Sequence, residues 1–451
     1  MTNASVSHPG QLSVGRGFFI PATASILVLM VLVLIAPIMT AEGPADGGGN
    51  TARQIGYGLL FLFTVGAVGA FKRPRRLLAP PISMIIAIGW CWLSLTWALD
   101  PSISVRRIIL TTLVFWTIFL AVENCGFDRT IKAIMIALTV ILIVNYVAIL
   151  VSPTTAIHQP GESHDSGLVG DWRGVLPQKN FTGAVCALTI LIFGFYGQRK
   201  DLFWRLPIIT AAGFFLAMTE SKTSIGMLGL AALVGVLYLA SRPQLRLILV
   251  PIVAIAGCAA MLYWIGAWDE ALGPFSRRDG LTGRVQIWPY LVNYAQDHPF
   301  TGAGYGSFWN IGEASPIYAY SKNWVSTLSS GHNGFLDLLV QVGWPGVILA
   351  VLATMVIPLW KLLSGENISR ARGALLIGII VFCIGHNMTE TSLFERDVIV
   401  GVFLIFAVAL TNVLYRRSIP ARRSSGRGRP SNSMAEADAV LHPETSPASH
   451  D

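Results

Sequence analysis

The chain has 451 residues, 53% of them hydrophobic and 12% charged, with a mean hydropathy of +0.60 and a formal net charge of +8. A water-soluble domain carries roughly twice that charged fraction, so the composition excludes one and points to apolar segments long enough to cross a bilayer. The cations lie in short loops between apolar runs rather than on one face, which excludes a nucleic-acid partner.

A short segment over 1–17 precedes the first apolar run, 18–39. That run is too long for a signal-peptide core and lacks a small-x-small cleavage site, so it reads as a retained helix. Further runs near 54–71, 79–98, 108–122, 131–152, 181–197, 203–219, 223–240 and 246–266 complete a first hydrophobic block over 18–266. A polar segment over 267–333 follows. Runs near 334–360, 373–389 and 396–415 then make a second block over 334–415. The expectation is an all-α polytopic membrane protein of about twelve transmembrane helices. The remainder, 416–451, is rich in Arg, Ser, Gly and Pro and cannot bury enough apolar surface to fold alone. Its cations suit anionic lipid head groups at ~1 kcal/mol each, and a solvated tail without further role fits equally.

Basic residues set the expected orientation. Lys72, Arg73, Arg75 and Arg76 follow the second run, and Arg129 and Lys132 the fourth. Arg199, Lys200 and Arg205 follow the sixth, Arg242 and Arg246 the eighth, and Lys361, Arg370 and Arg372 the tenth. Short cytoplasmic loops hold an excess of Lys and Arg. Both termini are therefore expected in the cytoplasm, and 267–333 on the outer side. Arg106 and Arg107 run against this pattern. The five cysteines, Cys91, Cys125, Cys186, Cys258 and Cys383, show no CxxC spacing and sit in or beside apolar runs, as packing residues do.

Four polar clusters fall on the outer side. They contain Asp171-Trp172-Arg173 with Lys179-Asn180, then Glu220-Ser221-Lys222, then Arg284 with His332-Asn333, and last His386-Asn387, Glu390 and Glu395-Arg396. For each cation the bland reading is snorkelling to the interface. An outward imidazole at a helix start, with an unperturbed pKa of about 6.5, can take a proton near neutrality, although a capping histidine fits the position too. Between Arg284 and Asp297 the spacing of Ile287, Trp288, Leu291, Val292 and Ala295 predicts a short surface helix with Pro289 in its first turn. Gly302-x-Gly304-x-Gly306 lacks the form of a nucleotide loop and predicts a tight turn. His158, His164 and Asp165 have generic spacing, and no metal is expected there.

The pieces Gly283-Arg284-x-x-x-Trp288, His298-Pro299-x-x-Gly302-x-Gly304-x-Gly306-Ser307-Phe308 and His332-Asn333-x-x-Leu336, in that order, resemble the O-antigen ligase and polysaccharide polymerase superfamily. The likeness is to its branch of exopolysaccharide polymerases of the succinoglycan type and covers about residues 170–400. The resemblance implies a GT-C-type glycosyltransferase fold with a large periplasmic loop in the bacterial inner membrane. It further implies polymerisation of undecaprenyl-diphosphate-linked oligosaccharide repeats, by an inverting route without metal or cofactor. His332 matches the family's base and Arg284 its diphosphate-holding cation. Lys222 stands where many relatives have Arg. Arg173, Lys179, Asn180 and Asn333 are further candidates for diphosphate or sugar contacts. Other polysaccharide export or chain-length proteins are implied partners. A ligase placing finished polymer on lipid A-core remains open, as does a lipid-linked glycan transporter.

Overall fold

The computed structural model describes residues 20–40, 50–161, 168–271, 282–365 and 367–418. The segments 1–17 and 419–451 fall outside these, as do His164 and Asp165. Among the described residues the secondary structure is helical, with isolated bridges and no strand. The helices are α1 Pro21–Thr40, α2 Thr51–Ala67, α3 Ile82–Leu93, α4 Pro101–Val151, α5 Pro153–Ala156, α6 Lys179–Phe195, α7 Leu202–Met218 and α8 Lys222–Ala240. They continue with α9 Pro243–Ala271, α10 Thr282–Asp297, α11 Ile317–Tyr320, α12 Gly334–Val351, α13 Ile357–Ser364, α14 Arg370–His386 and α15 Ile399–Ser418. A π-helical turn, Leu352–Val356, joins α12 to α13.

Among the described residues, five helical segments are long and apolar enough to cross a membrane: Pro101–Val151, Lys222–Ala240, Pro243–Ala260, Gly334–Ser364 and Ile399–Ser418. Pro21–Leu34, Ile82–Trp97, Lys179–Phe195 and Leu202–Met218 are apolar but shorter. The chain is a multi-pass membrane protein, and the sequence's about twelve spans are the finer expectation.

Helix α4 accounts for part of the difference. At 51 residues it would rise roughly 76 Å if straight, more than twice a hydrocarbon core. Gly126 breaks it with φ 72° and ψ −179°, a backbone state that side-chain-bearing residues rarely adopt. Both ends of α4 reach the same end of the bundle. Leu99 N–H donates to Ala303 at 3.1 Å just before its start, and Arg173 N–H donates to Ala156 at 2.9 Å just after its finish. Its middle lies at the other end, where Glu123 pairs with Arg416 of α15 and Asp128 with Arg372 of α14. The helix is therefore two antiparallel arms of roughly 37 Å each, the expected runs 108–122 and 131–152.

Gly343 (φ 66°) similarly divides α12. The carbonyl just before it, that of Val342, accepts from Trp90 Nε1 at 2.9 Å, and Trp344 N–H donates to Pro299 at 2.8 Å. Gly343 thus separates a short helix, 334–342, from the rest of the apolar run expected over 334–360.

The segment after α10 is packed onto the helix ends. Tyr305, Phe308 and Trp309 are buried. Tyr305 N–H donates to Ser94 at 2.9 Å, its hydroxyl to the Phe394 carbonyl at 2.6 Å, and Gly306 N–H to Gln341 at 2.7 Å. Gly302, Gly304 and Gly306 each have positive φ. A Cβ on Gly304 would meet Ala98 Cα at 2.5 Å, so this is the close approach the spacing predicted. Helix α10 buries Ile287, Leu291, Tyr294 and Ala295 and exposes Val292. It begins at Thr282, so Pro289 lies inside it rather than in the first turn.

Candidate active site

Glu390, in the connection between α14 and α15, is the centre of the outer-cluster residues. Its Oε1 accepts from Arg284 Nη2 at 2.5 Å and from Asn180 Nδ2 at 2.6 Å. Its Oε2 faces His332 Nδ1 at 3.2 Å. Burial alone would raise this carboxyl, but the Arg284 guanidinium above all, with His332 and His386, holds it at about 2. Glu390 is therefore an ionised acceptor. His332 Nδ1 must carry the proton in this pair, which leaves Nε2 with a free lone pair.

The imidazole is held in a strained place. His332 has φ 51°, in the left-handed region that costs an ordinary residue about 1–2 kcal/mol. Its neighbours fix it there. Gly331 N–H donates to both carboxylate oxygens of buried Asp337 at 2.9 Å, and Asp337 also accepts from Trp309 Nε1 at 2.8 Å and from the Thr391 hydroxyl. On the other side, Asn333 caps α12 by accepting from Phe335 and Leu336 N–H at 3.1 Å, while its amide donates to the Met388 carbonyl. Gly334 N–H reaches the Asn387 carbonyl at 2.8 Å. Strain held in this way gathers where function needs a fixed group.

The other expected residues divide. Asn180 is inside the cluster and accepts from the Ser221 hydroxyl at 3.1 Å. Lys222 is exposed, between Ser221 and Thr223, and Thr223 is hydrogen-bonded to Thr389 at 3.1 Å. It therefore borders Glu390's surroundings without a hydrogen bond to them. Lys179 is buried in an ion pair with Asp171 at 2.6 Å. Arg173 Nε donates to the Thr155 carbonyl at 2.8 Å. Asn333 acts on backbone.

His332 and Glu390 line a cavity of about 450 Å³, together with Arg107, Gln341, Glu395 and Arg396 among others. Arg284, Arg173, Lys179 and Lys222 are not in its wall. The sequence reading missed Glu390 as the hub, although His386 and Glu390 one helical turn apart at a helix end signalled a polar function. It also set Arg107 aside, whose guanidinium donates to the Gly306, Trp309 and Asn310 carbonyls and ties the outer segment to α4. Among the described residues no group of three or more His, Cys, Asp or Glu is arranged to hold a metal.

Residues 206–351, from α7 to the end of α12, match the family described as O-Antigen ligase. This segment is similar to that family. It contains Lys222, Arg284, His332 and Asn333, while Glu390 and Asn180 lie outside the matched range. The chain is also similar to a protein of Rhizobium meliloti (strain 1021) described as "Exopolysaccharide production protein ExoQ". Identity is 25% over 228 residues, 47% of this chain and 49% of that one. The chain thus spans about half the length of the curated relative it matches.

Proposed function

We propose that the protein is a membrane glycosyltransferase that joins oligosaccharide repeats, each carried on undecaprenyl diphosphate, into exopolysaccharide at the periplasmic face of the inner membrane. The observation that carries this reading is the carboxylate of Glu390 shared by Arg284, Asn180 and His332 at the wall of a polar cavity. The family match and the exopolysaccharide relative support the substrate class.

Glu390 orients His332 so that Nε2 takes the proton of an acceptor sugar hydroxyl. The hydroxyl oxygen attacks the anomeric carbon of the donor glycan while that carbon's bond to the diphosphate oxygen breaks. The electron pair leaves with undecaprenyl diphosphate, and the anomeric configuration inverts. A positioned base is worth about 10²–10⁴-fold. Cations fixed outside bulk water stabilise the charge on the departing diphosphate. Lys222, exposed beside Asn180 and Thr223, and the part of Arg284 not given to Glu390 are the groups for that task. Lys222 acts as a point charge rather than a planar fork. Arg173, Lys179 and Asn333 serve this site by holding backbone and loop in place.

The basic loops favour the same orientation. Arg205, Lys361, Arg372 and Arg416 gather at the bundle end opposite Glu390, where an excess of cations marks the cytoplasmic side. A strain lacking the protein tests the reading. Single repeats accumulating on the lipid carrier are expected. Long chains on the carrier would instead mean a ligase, and normal polymer would remove the assignment.

A further inference from the structure

The cavity beside His332 holds a cation that the scheme above does not use. Arg396 is partly buried, lies in the connection between α14 and α15, and lines the cavity wall. Arg107, the other guanidinium there, spends its donors on three carbonyls. Arg396 makes no hydrogen bond or ion pair with any described residue. Its acidic neighbours do not satisfy it: Asp397 is engaged by Arg53 through both carboxylate oxygens, and Glu395 interacts with it only through space. The wall's own charges, Arg107 and Arg396 against Glu390 and Glu395, cancel, but Glu390 is ion-paired with Arg284 from outside the wall, so Arg396 is not neutralised by it.

A half-buried guanidinium with a free planar fork suits a carboxylate or phosphate oxygen pair. Position decides between them. In the transferase scheme the donor's diphosphate is assigned to exposed Lys222 and to Arg284, on the Asn180 side of Glu390. The cavity reaches Gln178 and Phe181 beside Asn180, but loop residues of 305–310, 328–332 and 390–398, His332 and Arg396 among them, make most of its wall. Gln178, Asn310, Ser329, Ser330, Gln341 and Thr391 supply it with neutral hydrogen-bonding groups, as a glycan requires. Its size is that of an ordinary small-ligand site.

We propose that this cavity is the acceptor-glycan subsite and that Arg396 grips a carboxylate carried by an acidic sugar of the acceptor repeat. The assignment of acceptor rests on the transferase reading, whereas the preference for an acidic sugar is measurable without transfer. The test is ligand-observed NMR on the purified full chain in detergent, with methyl β-glucuronide against methyl β-glucoside, which differ in the carboxylate. At least tenfold tighter binding of the glucuronide is expected. Arg396→Gln should abolish the difference, and Arg396→Lys should retain part of it. The wild-type comparison stands even if a variant does not fold. Equal binding of the two sugars, binding of neither, or a preference that persists in Arg396→Gln overturns the proposal. Loss of undecaprenyl diphosphate binding in Arg396→Gln with the sugar preference intact also overturns it, because the cation then serves the donor. An Arg396-dependent preference in a protein that never polymerises would leave the subsite standing and remove the transferase reading instead.

Discussion

Replacing Glu390 by glutamine keeps the size of the side chain and removes its charge. Two donors, Arg284 at 2.5 Å and Asn180 at 2.6 Å, point at Oε1. In Glu390→Gln the amide oxygen must therefore stay at that position, and the amide N–H2 turns toward His332 Nδ1, 3.2 Å from Oε2 in the native site. Nδ1 must then accept, so the ring proton moves to Nε2, the atom needed to take the acceptor's proton. The imidazole keeps its place in the wrong tautomer. A positioned base contributes about 10²–10⁴-fold, and the equivalent tautomer error in a Ser-His-Asp site costs about 10⁴-fold. The expected fall in kcat is about 10²–10⁴-fold, with KM for the lipid-linked donor changed by less than about threefold, because the loss lies in the transition state. The assay is release of polyprenyl diphosphate by the purified protein. A folded Glu390→Gln protein with wild-type kcat would refute the Glu390–His332 dyad.

Arg284→Lys keeps the charge but loses the planar fork against Glu390. Turnover should fall at least tenfold, and wild-type turnover in purified Arg284→Lys would remove the guanidinium's special role. Acid should weaken the same network. The Glu390 carboxyl sits at about 2 in the folded protein against an ordinary 4.5, so its stabilisation is fully present above 4.5 and is lost as pH falls toward 2. That depression corresponds to about 3 kcal/mol. The stability gap between wild type and Glu390→Gln should stay constant above about pH 5 and shrink below 4.5. A gap that widens on acidification would contradict the ion pairing. Ser329 is exposed beside the cavity. A cysteine placed there should react with an impermeant reagent on intact cells, and labelling only after permeabilisation would reverse the orientation.

Helix positions were legible because apolar length is a local property. The runs 181–197, 203–219 and 223–240 match α6, α7 and α8 within a few residues. At Gly126 the two expected runs, 108–122 and 131–152, correspond to the two arms of α4, whereas the break at Gly343 inside the run 334–360 shows only in the backbone angles. Of the site, the sequence singled out His332 and Arg284, and the structure brings both to Glu390. Glu390 was not singled out, because its partners Asn180, Arg284 and His332 are 210, 106 and 58 residues away and nothing local records the pairing. Lys179 looked free for phosphate because its pairing with Asp171 depends on how the loop folds. Arg107 looked like a topological exception for a similar reason. Its cation is accommodated because three carbonyls of a packed segment receive it.

The most direct measurement is reconstitution of the purified protein with one lipid-linked repeat and no nucleotide sugar. Glycans in whole multiples of the repeat should appear, each new linkage inverted relative to the donor, with one undecaprenyl diphosphate released per bond. Products no longer than one repeat, or retained configuration at the new linkage, would contradict direct displacement assisted by His332.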